Sequence, residues 1–322
     1  MRSERLDWFR LTLRLHRFEL FAFGVAIIGL VVASFVAAAY IEGFRIPPEC
    51  TAFDGGEVPL SCDAAYRKLG DAQAIGGLVM SPLLLVIFAM GLFLGVPVIA
   101  RELERGTVRL AWWLTPSRWR WYLARLLPIL AVVVVLTFAA GVAADRMFAA
   151  NNPTVDPSKS FDGYGARGGL LAARALFVFA VAVVVGSFIG RTLPAVIVAA
   201  LVATIGLSGG INVHERILRG EAVVVQVDQA DLDNGGFHAG DKFIDQKFIL
   251  PDGSLVGYEY FNDNNEGDSF DENGNPKYPM VNLVIPGDLY RFVEAREAGV
   301  LIGGSLIALL LAGVVVVRRR PG

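Results

Sequence analysis

Six stretches of this chain run almost without charge for the length of a membrane crossing: Phe18 to Ile41, Gly77 to Ala100, Leu123 to Ala144, Leu170 to Ile189, Leu193 to Ile211 and Ala298 to Val317. A helix needs roughly 20 apolar residues to cross a hydrocarbon core about 30 Å thick, because lipid offers no partner for an unpaired backbone group. Pro82, Pro97, Pro128 and Pro194 interrupt several of the stretches, which membrane helices tolerate and soluble helix interiors seldom do. The first stretch lacks the short apolar run and small-residue cleavage site of a secretory leader. The pattern changes between 213 and 295. There "EAVVVQV" and "KFILPDGSLVGYEYF" are rich in β-branched and aromatic residues, and "PDG" signals a turn, so at least one hairpin of a small folded domain is expected. The predicted fold class is an all-α membrane protein of six transmembrane helices, with a small β-containing domain between the fifth and sixth.

Composition agrees: 54% of the 322 residues are hydrophobic and the mean hydropathy is +0.53, well above globular usage. Charge orients the spans. Arg2, Arg5, Arg10, Arg14 and Arg17 precede the first span, six arginines lie between 101 and 125, Arg191 links the fourth and fifth spans, and Arg318 to Arg320 follow the sixth. Basic residues near span ends resist translocation, so all these segments, and both termini, are expected in the cytoplasm of a multi-pass cell-membrane protein. Residues 213–295 then form an extracytoplasmic domain. Its 16 acidic against 6 basic residues carry no weight for orientation, because a segment that long crosses whatever its charge.

The two cysteines, Cys50 and Cys62, both fall in the 42–76 loop that this scheme puts outside. Thiols oxidise there, and a disulfide is expected; the alternative is two unpaired thiols. Two Cys without His at ligand spacing cannot close a tetrahedral metal shell. The Asp- and Asn-rich "NDNNEGDSFDENGNP" reads as a solvated loop or a cation site, and its spacing is not that of an EF-hand. P-loop, H-E-x-x-H and G-x-S-x-G motifs are absent, so the chain is expected to have no enzyme activity and no cofactor of its own. His16, His214 and His238 read as interfacial or surface side chains. Arg174, near the start of the fourth span, is either functional or snorkels toward water.

"VIARELERGTVRLAWWLTPSRWRWYLAR" resembles the loop between the second and third spans of ABC-2 type transporter permeases, in its acidic residue, Gly-Thr pair and run of Arg after a Ser. "LTLRLHRFEL" resembles their entry helix, and "IPGDLYRFVEAREAG" the segment leading into their last span. The 213–295 domain departs from the family in its size. The resemblance implies a permease subunit of an ATP-driven transporter. ATP and Mg would be bound on a separate ATP-binding subunit, whose groove receives the 101–122 loop as a coupling element.

Arg101, Glu102, Glu104, Arg105, Gly106 and Thr107 are the residues expected to carry that coupling. Arg101, Arg105 and Arg109 recur at helical spacing, with Glu102 facing Arg105, as on a wet helix face. The alternative is a positive loop that only sets topology. Trp112, Trp113, Trp119, Trp121 and Tyr122 read as belt residues at the headgroup level. Residues 1–17 read as an interfacial amphipathic helix or a disordered basic leader. Residues 18–212 carry the first five spans and the coupling loop, and 296–322 the sixth span and a basic cytoplasmic tail. The expected partners are the ATPase, a second copy or a homologous permease, and membrane lipid, with no nucleic acid. The expected role is export of a lipophilic or amphipathic compound. A membrane-anchored extracytoplasmic sensor or assembly scaffold is the alternative.

Overall fold

The structure is a computed structural model that describes residues 11–44, 46, 50, 60–115, 117–153, 155–226, 240–263 and 277–319. It divides into two compact units, one of Met1–Pro153, Gly165–Leu207 and Glu294–Gly322, the other of Thr154–Tyr164 and Ser208–Val293. The helices in chain order are α1 (Arg17–Glu42), α2 (Leu60–Gly95), α3 (Pro97–Glu104), α4 (Val108–Leu114), α5 (Arg118–Asn151), α6 (Gly168–Ile189), α7 (Thr192–Glu221), α8 (Tyr258–Asp263) and α9 (Tyr290–Arg318). Six helical segments are long and apolar enough to cross a membrane, with α2 and α3 together making the second.

The second span is longer than its apolar core. Helix α2 begins at Leu60, inside the stretch read as loop, because 60–76 holds no breaking run and Asp63 pairs with Arg67 one turn on. Its 36 residues reach about 54 Å at 1.5 Å each, well beyond the hydrocarbon thickness. Pro97 then has no N–H to give and its ring crowds the preceding turn, so the ladder is interrupted at Val96 and resumes as α3.

In the first unit, α1, α2, α5 and α6 enclose a core that includes Ile27, Leu83, Ile87, Met90, Ile129, Val133 and Phe179. Small residues bring α2 against α6. A Cβ on Gly95 would lie 2.7 Å from the Ala182 methyl and 2.8 Å from the Phe179 carbonyl, the close backbone approach by which membrane helices gain contact where no hydrophobic effect drives them together. The outward faces of α1 and α7 are apolar and exposed, Phe21 and Val25 on one, Leu193, Leu201 and Ile205 on the other, as a lipid-facing surface requires.

The second unit holds a four-stranded antiparallel sheet of order β1-β4-β2-β3: β1 (Val223–Gln226), β2 (Lys242–Ile249), β3 (Leu255–Val256) and β4 (Met280–Ile285). The expected hairpin is β2–β3. Leu250 N–H donates to Ser254 O at 3.0 Å, Gly253 takes φ +83°, and Asp252 Oδ1 accepts from the Ser254 N–H and hydroxyl. Two readings change. "YEYF" is helical in α8 and not strand. "MVNLVI", unassigned by pattern, is the central strand β4, paired on both edges and almost wholly buried. Residues 264–276, most of the Asp- and Asn-rich loop, lie outside the described residues, as does His238.

Candidate functional site

Helix α3 is short, and successive side chains leave it about 100° apart, so its charged residues reach three different neighbours. Arg101 pairs with Glu19 on α1. Glu102 Oε1 lies 2.6 Å from Arg125 Nη2 on α5, the arginine buried and the glutamate largely so. Glu104 Oε2 accepts from the Thr192 N–H at 3.0 Å and the Thr192 hydroxyl at 2.7 Å, at the start of α7. The expected pairing of Glu102 with Arg105 along one wet face is thus replaced by ties across the bundle. A buried guanidinium on α5 demands a charged partner, and Glu102 supplies it.

Around these ties the amino-terminal segment closes the cluster. Of the helix expected over 1–17, residues 1–10 lie outside the described residues, while 11–15 are helical and run through a turn at His16 into α1. The Thr12 hydroxyl donates to Ala124 O at 3.2 Å and accepts from Arg125 Nη1 at 3.4 Å. His16 is buried, against the surface reading. Burial first, then the positive charges of Arg101 and Arg125, lower its imidazole from 6.5 to about 4, with Glu19 opposing. His16 is therefore neutral at pH 7, and the two arginines are balanced by Glu19 and Glu102 without a third cation.

Past Glu104 the helix stops. Gly106 N–H donates to Leu103 O at 3.2 Å with φ +70°, a left-handed cap that glycine adopts at no steric cost. A Cβ there would meet open space, so the constraint is conformational. Arg105, Gly106 and Thr107 are exposed. Helix α4 follows, with Val108 buried and Leu110 and Trp113 exposed, Trp113 at 90%. Ser117 caps α5 by accepting from the Arg120 N–H at 3.1 Å.

Two of the five expected belt residues are core residues instead, and Trp112 and Trp119 pack partly buried against them. Trp121 and Tyr122 are buried, Trp112 stands edge-on to Trp121, and the Tyr122 hydroxyl donates to Leu309 O at 2.7 Å. Arg118 lies over the Trp112 ring and donates to Val317 O and Arg319 O, while Arg319 donates to Ser187 O. The start of α1, the α3–α4 turn, the starts of α5 and α7, and the ends of α6 and α9 therefore share one end of the bundle.

At the opposite end Cys50 and Cys62 form the expected disulfide, Cα atoms 5.6 Å apart. Arg146 pairs with Glu42 at 2.8 Å and Arg167 with Asp145 at 3.0 Å. Arg174 does not snorkel: its Nη2 and Nε lie 2.7 and 3.1 Å from Glu297 Oε1 on α9, both side chains largely buried. Among the described residues no group of three His, Cys, Asp or Glu side chains is placed to hold a metal ion.

The family model described as ABC-2 membrane transporter related matches residues 20–214. The chain belongs to that family. The matched ABC-2 region takes in α3, the Gly106 turn, Arg125 and Thr192, begins one residue after Glu19, and ends within α7, before the sheet and the last helix. Membership supports the role of permease in an ABC transporter, a transport subunit that assembles with an ATPase partner. No curated protein and no solved structure matches this ABC-2 chain.

Of the six residues expected to carry coupling, Arg101, Glu102 and Glu104 are held by other helices, and Arg105, Gly106 and Thr107 form the exposed turn between α3 and α4. Reading by pattern missed their partners Glu19, Arg125 and Thr192, and the neighbouring Thr12 and His16. A signal existed for Arg125, which stands in the third position of an apolar run, as Arg174 stands in the fifth of another.

Proposed function

We propose that this chain is the permease subunit of an ATP-driven exporter of a lipophilic or amphipathic compound, in the cell membrane with both termini cytoplasmic. The observation that carries the reading is the radial wiring of α3. Three polar contacts within the last turn of α3 join one exposed glycine turn to α1, α5 and α7. A push on Arg105, Gly106 and Thr107 by a separate ATPase subunit, which binds ATP and Mg, would reach three spans at once and shift the bundle between inward and outward openings. A second copy or a homologous permease would complete the path. The arginine-rich segments support the cytoplasmic side for this end, and the Cys50–Cys62 bridge supports an oxidising compartment for the other.

A second reading, an extracytoplasmic sensor or scaffold, is favoured by one observation: the four-stranded sheet lies outside the family match. The two separate experimentally. Purification in mild detergent should bring down an ATPase. Glu104→Lys and Gly106→Val should both abolish transport at normal expression, with weaker ATPase retention or hydrolysis that no longer responds to cargo. Wild-type transport and wild-type ATPase retention in both variants would remove the coupling role and favour the sensor.

A further inference from the structure

The polar ties of α3 reach α1, α5 and α7; two arginines at the same end of the bundle reach α6 and α9. The last carbonyls of a helix have no partner within it. Arg118 Nη1 donates to Val317 O at 2.8 Å and to Arg319 O at 2.9 Å, at the end of α9. Arg319 Nη1 in turn donates to Ser187 O at 2.7 Å, in the last turn of α6. Gly190, the left-handed cap of α6, keeps that approach open, since a Cβ there would lie 3.0 Å from Arg319 Nη2. On its other side Arg118 faces α4, with its guanidinium carbon 4.2 Å from the centre of the Trp112 ring. We propose that Arg118 and Arg319 are positioning residues that give the α3–α4 turn a second output: displacement of α4 passes through the Trp112–Arg118 stack to the end of α9, and through Arg319 to the end of α6.

The placement of each cation argues for transmission. Arg118 is the first residue of α5 and so stands at the positive end of its own helix dipole. Its favourable partner is the negative end of α9, which makes it a link between helices and not a part of α5 alone. Arg319 is half-buried on a carbonyl, whereas Arg318 beside it is exposed. A tail that only fixed topology would leave both in water. The Trp112 indole N–H is buried with no hydrogen-bond partner among the described residues, so the ring is held there by its face on Arg118 and its edge contact with Trp121. The route from α4 to α9 and α6 rests on the coupling role proposed above for the turn.

The test uses the full chain in complex with its ATPase, with a spectroscopic label placed singly at Leu193→Cys on α7, Leu310→Cys on α9 or Phe188→Cys at the end of α6, all exposed positions. Adding ATP should change label mobility at all three. Arg118→Ala and Trp112→Leu should each remove the change at 310 and keep it at 193. Arg319→Ala should remove it at 188 and keep it at 310. Arg318→Ala should alter none of the three. A retained response at 193 shows that a variant is folded and still driven by ATP. A response at 310 that survives both Arg118→Ala and Trp112→Leu would overturn the proposal, as would loss at 193 and 310 together in both variants, which marks a general structural role. An unsubstituted complex that responds at 193 and not at 310 would overturn it and leave the coupling role standing. No ATP response at any position would overturn both.

Discussion

The two ends of the helical bundle use the same chemistry in different arrangements. At one end the polar ties radiate from a single short helix, Arg101 to α1, Glu102 to α5 and Glu104 to α7, beside an exposed left-handed glycine. At the other, ion pairs join helices two at a time, Glu42 with Arg146, Asp145 with Arg167, Arg174 with Glu297, beside a disulfide. A radial arrangement moves several helices when its hub moves, whereas pairwise clamps resist such movement. Helix α5 belongs to both, with Arg125 at one end and Asp145 20 residues later, about 30 Å away.

The largest expected effect lies at the clamped end. Glu297→Ala removes a carboxylate from the Arg174 guanidinium in a largely buried site, and weakening a buried pair in this way costs up to about 3–5 kcal/mol. The thermal midpoint of the solubilised protein should fall sharply. Glu102→Ala, at the radial end, should cost similar stability and additionally abolish transport. If Glu297→Ala instead abolished ATP-driven movement at unchanged stability, the contrast between the ends would fail.

Next comes the disulfide. Its partners are 12 residues apart, and the loop-entropy account gives about 3 kcal/mol for a loop of that order. Replacing both cysteines by alanine should lower the unfolding midpoint and make it insensitive to reductant, with ATPase retention unchanged.

His16 gives a pH test at the radial end. Its folded value, about 4, lies below the ordinary 6.5, so the unfolded chain binds the proton more tightly between those values. Stability from this group is present above pH 6.5 and lost as pH falls toward 4, by on the order of 2–3 kcal/mol. A His16→Gln variant should show a flatter stability profile over that window than the wild type. The smallest effect on stability is Gly106→Ala, about 1 kcal/mol for placing a Cβ in left-handed backbone.

The six spans were legible because each is a long apolar run, and the β2–β3 hairpin because "PDG" sits between β-rich segments. The disulfide was legible from two cysteines on one loop. Strand β4 was not, since "MVNLVI" is too short to separate strand from span entry, and its two flanking partners lie far away in sequence. The loop residues 101, 102, 104, 105, 106 and 107 stood out by charge and by Gly106. Their partners did not, because periodicity shows which residues share a face of one helix and says nothing of the neighbour that face meets. Trp121 and Tyr122 were misplaced for the same reason: an aromatic at a span end suits the headgroup level and the core equally well, and only the packing against α4 and α9 decides.

The central claim is that displacement of the α3–α4 turn reaches the spans through the polar ties of α3. It is tested most directly by a spectroscopic label on Leu193→Cys, an exposed position next to Thr192 whose thiol is free while Cys50 and Cys62 remain bonded. In the complex with its ATPase, adding ATP should change the label's mobility, and Glu104→Ala should remove that change while the ATPase stays bound. An ATP response at 193 that survives loss of the Glu104 carboxylate would contradict the account.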